Sequence, residues 1–231
     1  MEDSVRFLPC GDSAVTVEFG STIDNMLNQT IHAFCGAVEG LPLPALREVV
    51  PTYRSATIHY DPEQMSYGEL CSLLAPLAQS IRPEEKAGEL IEIPVLYGGE
   101  QGPDLEIVAA HCGLSAEEVI RLHSAPDYRI FMLGFTPGFP YLGGMDPKLS
   151  TPRRKEPRTA IPAGSVGIAG GQTGIYPIVS PGGWQLIGRT PLSLFDPAAN
   201  PPILLAAGKR IRFVPIDAQT FETIQKGGGR L

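Results

Sequence analysis

The sequence predicts an α+β N-terminal domain followed by a mainly β domain that closes, or nearly closes, into a barrel. Three observations carry this. Helical and strand periods alternate over residues 1–82, whereas from residue 128 only strand patterns occur until a short final helix. Glycine and proline concentrate in residues 128–195, which hold 12 of the 26 glycines and 9 of the 23 prolines, so that segment must be short strands joined by turns. Between the two patterns, Arg82-Pro83-Glu84-Glu85-Lys86-Ala87-Gly88 carries charge and no large apolar side chain. The domains are therefore read as 1–82 and 90–231, with 83–89 as linker.

Residues 5–8 and 14–19 read as strands around a Pro9-Cys10-Gly11-Asp12 turn, with Val15, Val17 and Phe19 alternating toward a core. Ile23, Met26, Leu27, Ile31, Phe34, Val38 and Leu41 form one helical stripe, stopped by Gly40 and Pro42. Residues 48–51 and 54–60 form a hairpin. Tyr67, Leu70, Cys71, Leu74, Leu77 and Ile81 mark a second helix, in which Pro76 predicts a kink or an early end. The order ββαββα suits one sheet covered by two helices. In the second domain a strand at 90–97 precedes two short helices. One is opened by Pro103, with Leu105, Val108 and Cys112 on a stripe; the other is opened by a capping box of Ser115 and Glu118. Strands follow at 128–135, 165–169, 174–179, 184–189, 203–206 and 210–216, then a helix at 218–225. Six or seven short strands with glycine turns are the pattern of a barrel.

The chain has 231 residues, 43% hydrophobic and 19% charged, at a mean hydropathy of +0.03, an ordinary globular composition. No apolar run nears the roughly 20 residues of a membrane-spanning helix, and Met1-Glu2-Asp3-Ser4 lacks the layout of a secretion signal. A cytoplasmic location and no membrane contact are expected. Cys10, Cys35, Cys71 and Cys112 form no Cys-x-x-Cys clamp and read as reduced, mostly buried thiols. A net charge of −7 argues against nucleic-acid partners. Residues 128–195 nevertheless carry seven basic residues against two acidic ones, and no carboxylate occurs from Pro157 to Phe195.

Familiar chemical signatures fail. Gly208-Lys209 lacks the earlier glycine of a phosphate-binding loop, no Gly-x-Gly-x-x-Gly opens a helix, and Ala163-Gly164-Ser165-Val166-Gly167 begins with alanine where a nucleophile elbow needs glycine. The four histidines share no metal-ligand spacing. His123 falls on the apolar stripe of its helix, either as a hydrogen-bonded core residue or as a proton carrier.

The sharper feature is Thr151-Pro152-Arg153-Arg154-Lys155-Glu156-Pro157-Arg158. Prolines hold this basic run extended, so its guanidinium groups could grip a phosphate or carboxylate with little loss of freedom; otherwise it is a solvated loop. Gly170-Gly171-Gln172-Thr173-Gly174 could supply amides and hydroxyls to the same anion, or be a tight hairpin turn. Phe139, Tyr141, Tyr176 and Trp184 either line a groove or interface or plug the barrel.

The run Gly134-Phe135-Thr136-Pro137-Gly138-Phe139-Pro140-Tyr141-Leu142-Gly143-Gly144, with Thr151-Pro152-Arg153-Arg154, Pro162-Ala163-Gly164-Ser165-Val166-Gly167, Gln172-Thr173-Gly174-Ile175-Tyr176-Pro177 and Ser180-Pro181-Gly182-Gly183-Trp184, closely resembles the KipI family. That family is also known as the first subunit of allophanate hydrolase or the B subunit of 5-oxoprolinase (PxpB). Tyr97-Gly98-Gly99-Glu100 with Gly102-Pro103-Asp104 resembles it too. The resemblance implies a small α+β domain and a cyclophilin-like barrel. It implies one component of an ATP-dependent 5-oxoprolinase, opening 5-oxo-L-proline to L-glutamate with two partners, a second cyclophilin-like protein (the C subunit) and a lactam-processing protein (the A subunit). Without those partners the chain is expected to be inactive. ATP would be the co-substrate, with magnesium, if used, held by its phosphates or by a partner. The alternative is a regulator that binds and inhibits a sensor histidine kinase through an exposed Phe139/Tyr141/Trp184 surface. For the enzyme, Arg153, Arg154, Arg158, Gln172, Thr173 and Arg189 are the expected substrate or phosphate ligands, and His123 and Asp104 the candidates for proton transfer or orientation. No metal site is expected.

Overall fold

A computed structural model describes residues 5–82 and 88–229 of the chain. The chain divides into two compact units, Met1–Lys86 and Ala87–Leu231. Of the expected linker 83–89, residues 83–87 lie outside the described residues.

The first unit runs β1 (Arg6–Pro9), β2 (Ala14–Glu18), α1 (Asn25–Glu39), β3 (Leu46–Pro51), β4 (Ser55–Tyr60) and α2 (Tyr67–Ser80). Its antiparallel sheet has the order β1-β2-β4-β3. Val15 pairs with Ile58 and Val17 with Ala56, so one face of the pleat is apolar and meets Ile31, Phe34 and Val38 of α1 and Leu70, Leu74 and Ala78 of α2. Helix α1 begins two residues later than its apolar stripe. The Asp24 carboxylate accepts from the Met26 and Leu27 amides at 2.8 and 2.9 Å, which fixes the cap there and leaves Ile23 and Met26 exposed. Helix α2 opens with a Ser66/Glu69 capping box that the sequence pattern had not singled out, and it continues through Pro76 to Ser80 instead of ending early. Burial of Leu70, Leu74 and Ala78 on both sides of the proline offsets the one lost backbone bond.

The second unit begins with β5 (Leu90–Tyr97), α3 (Leu105–Cys112), α4 (Ala116–Ser124), β6 (Tyr128–Leu133) and β7 (Pro140–Gly143). A 3-10 turn (Pro147–Leu149) leads to β8 (Arg158–Ile161), β9 (Ser165–Ala169), β10 (Gln172–Ile175), β11 (Ser180–Gly182), β12 (Gln185–Arg189), β13 (Arg210–Pro215) and α5 (Ala218–Lys226). Seven strands close a barrel in the order β10-β7-β6-β13-β5-β12-β9. β13 lies parallel to β5 from Arg210↔Leu90 to Pro215↔Val95, and the other barrel pairs are antiparallel. Ile93, Val95, Ile130, Val166, Ile168, Ile187, Ile211 and Phe213 fill the interior, and Leu105, Val108 and Val119 of α3 and α4 belong to the same core. The capping box of Ser115 and Glu118 forms as its sequence predicts.

Three strands are not announced by any sequence period: β7, β8 and the partner of β8, β11. Each has only three or four residues and is punctuated by proline or glycine, or lies beside them. Gly143 is required in β7, because a Cβ there would stand 2.1 Å from the Phe131 ring. Conversely, the expected strand at 203–206 reduces to a single bridge, Phe195↔Ile203.

Candidate functional site

Asp104 is the pivot of the glycine-rich part of the barrel unit. It stands at the N-cap position of α3, yet its carboxylate makes no capping bond to that helix. Oδ1 accepts from Arg154 Nη1 at 3.1 Å and Arg158 Nη2 at 2.8 Å. Oδ2 accepts from Arg158 Nη1 at 2.8 Å and from the Leu186 amide at 2.7 Å, and the Asp104 amide donates back to the Leu186 carbonyl at 2.8 Å. The carboxylate is 2% exposed, so its charge depends on these four donors for solvation. Arg158 binds it bidentately, the geometry in which a guanidinium holds a carboxylate best.

The basic loop is pinned at several other points. Thr151 and Gly170 exchange two backbone bonds, the Arg154 amide donates to the Gly183 carbonyl at 2.7 Å, and Gln185 Nε2 donates to the Pro152 carbonyl at 3.0 Å. The loop and the glycine turn therefore do meet. Their chemistry differs from expectation, because the anion gripped by Arg154 and Arg158 is the chain's own Asp104. Arg154 and Arg158, expected to hold a phosphate or substrate, are thus paired with Asp104, and Asp104, expected to serve proton transfer or orientation, is a buried counter-ion that orients them. The turn is a hairpin, with Gly170-Gly171 joining β9 to β10 through the Ala169↔Gln172 pair and the Gly170 amide committed to Thr151. Gln172 is half-buried on β10. Arg153 and Lys155 remain exposed, without an ion pair among the described residues.

His123 is fully buried, its ring stacked on Phe213 at 4.4 Å between centroids. Its partners fix the tautomer. The Thr173 hydroxyl donates to the Gly167 carbonyl at 3.0 Å, so at 2.8 Å it accepts from His123 Nε2; Nδ1 then accepts from the Tyr97 hydroxyl at 2.8 Å. Burial pushes the His123 pKa down to about 3, because the apolar barrel disfavours the imidazolium. His123 is thus a neutral imidazole on the apolar stripe of its helix with both nitrogens committed to hydrogen bonds. Thr173, expected among the anion ligands, is buried with its hydroxyl engaged by His123 and Gly167.

The aromatic residues form a second buried cluster with Ile161, Ala169 and Leu186, distinct from the core that fills the barrel interior. Phe139, Tyr176 and Trp184 are buried, and Phe139 meets Tyr141, Tyr176 and Trp184 edge-on at 5.2, 5.3 and 5.5 Å. Burial also pushes the Tyr176 phenol up to about 12. Phe139 and Trp184 are buried and Tyr141 is part-exposed, so these three rings do not make up one exposed surface. The exposed ring is Phe135, 63% accessible with φ of +64°.

Arg189 is placed differently from the other arginines. Its Nε donates to the Ala163 carbonyl at 2.8 Å, and Nη1 makes one long contact of 3.5 Å to Gln101 Oε1. Among the described residues no carboxylate pairs with it. The side chain lines a cavity of about 370 Å³, and Gln225 is shared between that cavity and a second one of about 460 Å³ over Gly98–Gln101 and α5. The sequence signal for this site is the acid-free stretch 157–195. It marks cations that must find their counter-ions elsewhere: Arg158 in Asp104, and Arg189 in nothing on this chain among the described residues. No group of three or more His, Cys, Asp or Glu side chains among the described residues could hold a metal ion, and no described helix is long and apolar enough to cross a membrane.

The family model of the carboxyltransferase domain, subdomain C and D, matches residues 5–205. A protein of Bacillus subtilis (strain 168), named as the B subunit of 5-oxoprolinase, is 46% identical over 228 residues, covering 94% of this chain and 95% of that one. The crystal structure of TTHA0988 superposes with a TM-score of 0.78 at 40% identity over 93% of this chain, which spans only 41% of that longer polypeptide. The K. lactis urea amidolyase shares the fold, with a TM-score of 0.78 at 21% identity over 96% of this chain and 15% of its own.

Proposed function

The chain belongs to the carboxyltransferase subdomain C and D family, alongside proteins named as the B subunit of 5-oxoprolinase, and from that membership we propose that it is the B subunit of an ATP-dependent 5-oxoprolinase. The observation that carries the reading is the 46% identity over 94% of the chain, a likeness of the whole protein rather than of one motif. The reaction opens 5-oxo-L-proline to L-glutamate together with a second cyclophilin-like protein, the C subunit, and a lactam-processing protein, the A subunit. A lactam is a poor electrophile. Phosphorylation of its carbonyl oxygen by ATP makes the ring carbon electrophilic; water adds to that carbon, the ring C–N bond breaks with the nitrogen leaving as the amine, and the resulting acyl phosphate is hydrolysed to carboxylate and phosphate, with cationic groups stabilising the charge that develops.

On this reading the barrel unit is a cyclophilin-like domain, the sheet-and-helix unit a separate α+β domain, and the complex cytoplasmic. ATP is the co-substrate of the assembled enzyme. The cations of the basic loop still available to its phosphates are Arg153 and Lys155, and any magnesium travels with the nucleotide. The test is reconstitution. The purified chain and its A and C partners, given 5-oxo-L-proline and ATP, are expected to release glutamate and ADP, and omission of any one protein is expected to abolish release. Undiminished turnover without this chain, or no turnover from the full set, would overturn the reading.

A further inference from the structure

We infer that the cavity beside Arg189 is a binding site for a small monocarboxylate with an apolar ring or chain as its body. Charge is the first observation. A guanidinium has five N–H donors, and Arg189 engages two of them, one at the limit of hydrogen-bond distance. The side chain is half-buried, and no acidic residue occurs in the sequence from Pro157 to Phe195 that could reach it locally. Its sister cations show how this fold treats a guanidinium with a counter-ion: Arg154 and Arg158 converge on Asp104. Arg189 lines a cavity and pairs with no carboxylate among the described residues.

The cavity defines the rest of the ligand. Its volume of about 370 Å³ lies in the range of small-molecule sites, and Ile178, Val179 and Phe195 contribute apolar wall. Among the described residues Arg189 is the one charged residue in the lining, and it offers one positive charge and not several. A carboxylate matches that charge and the planar fork; a nucleotide triphosphate would bring several further charges with no partner. Besides the guanidinium the lining carries the Gln225 carboxamide, which suits an amide or carbonyl on the ligand body, and the hydroxyls of Thr190, which accepts from the Leu192 amide, and Ser193, which donates to the Phe195 carbonyl. Identification of the ligand as 5-oxo-L-proline, a five-membered lactam with one carboxylate, rests on the proposed function; the carboxylate class rests on the cavity alone.

The experiment is an amide-resolved NMR titration of the full chain with four probes: 5-oxo-L-proline, cyclopentanecarboxylate, 2-pyrrolidinone and inorganic phosphate. The two carboxylates are expected to shift the amides of Thr190, Leu192, Ser193 and Phe195 saturably, while the uncharged lactam and phosphate leave them in place. Arg189→Gln is expected to weaken carboxylate binding about tenfold or more, the loss of a charge-assisted pair. Val179→Glu, at an exposed position on the cavity wall, is expected to do the same by supplying an internal counter-ion. Absence of saturable shifts, equal response to 2-pyrrolidinone, or indifference to both variants would overturn the site. A parallel measurement of 5-oxoproline KM in the three-protein assay separates the two ideas. Carboxylate binding without turnover in any mixture of the three proteins would overturn the enzymatic reading and leave the site. Turnover with an unchanged KM in both variants would leave the reading and overturn the identification of the cavity's ligand as the 5-oxo-L-proline that is turned over.

Discussion

Replacement of His123 by glutamine should flatten the acid side of the barrel's stability profile. The imidazole is neutral in the folded protein because burial holds its pKa at about 3, against an ordinary value of 6.5 in the unfolded chain. The sign follows from proton binding. Below pH 6.5 the unfolded state takes up a proton that the native state refuses, so the stability owed to the neutral ring is complete above 6.5 and falls as pH drops toward 3. The slope is about 1.4 kcal/mol per pH unit, which makes the loss about 2 kcal/mol at pH 5 relative to pH 7.5. In His123→Gln that loss should vanish, although the variant starts lower at pH 7.5 through imperfect replacement of the bonds to Tyr97 and Thr173. Urea unfolding followed by the fluorescence of Trp184, the one tryptophan and a buried barrel residue, measures this in wild type and variant at pH 7.5 and 5. The other three histidines and all carboxylates are common to both proteins and cancel in the difference. Equal pH dependence in the two would refute the buried neutral imidazole.

The same interior yields two more tests. Thr173→Val leaves the His123 Nε2–H without an acceptor, and should cost about 1–3 kcal/mol in the same urea assay at pH 7.5, whereas Thr173→Ser should cost much less. Gly143→Ala should destabilise by about 1–3 kcal/mol or more in a thermal melt, because the new methyl and the Phe131 ring compete for one volume; pairing it with Phe131→Leu should restore part of the loss.

Much of the fold is legible because periodicity reports on it directly. The alternation of Val15 and Val17, the stripe through Ile31, Phe34 and Val38, and the Ser115/Glu118 box each specify a local geometry that tertiary packing then keeps. What escapes is short or distant. β7, β8 and β11 are too brief for a period to show. The site is legible in part. The resemblance singles out Asp104 and the arginines, but the pairing of Asp104 with Arg154 and Arg158 spans 50 and 54 residues and depends on where α3 places its first turn. The aromatic residues are ambiguous in the sequence for a related reason. A ring between glycines and prolines suits a surface groove as well as a barrel plug, and only closure of the barrel decides which side it faces. Arg189 stands among the expected anion ligands, yet nothing in the sequence distinguishes it from the arginines that Asp104 neutralises.

That division of charge, with two guanidiniums satisfied internally and one left for a ligand, is most directly tested by a double-mutant cycle between Asp104 and Arg158. Asp104→Asn, Arg158→Gln and the double variant would be unfolded in urea beside the wild type. A coupling of about 2 kcal/mol is expected, each single change costing more than its share of the double because it strands a partner in a mostly buried setting. Additive losses, with no coupling beyond about 0.5 kcal/mol, would contradict it and return Arg158 to the pool of cations free to bind substrate.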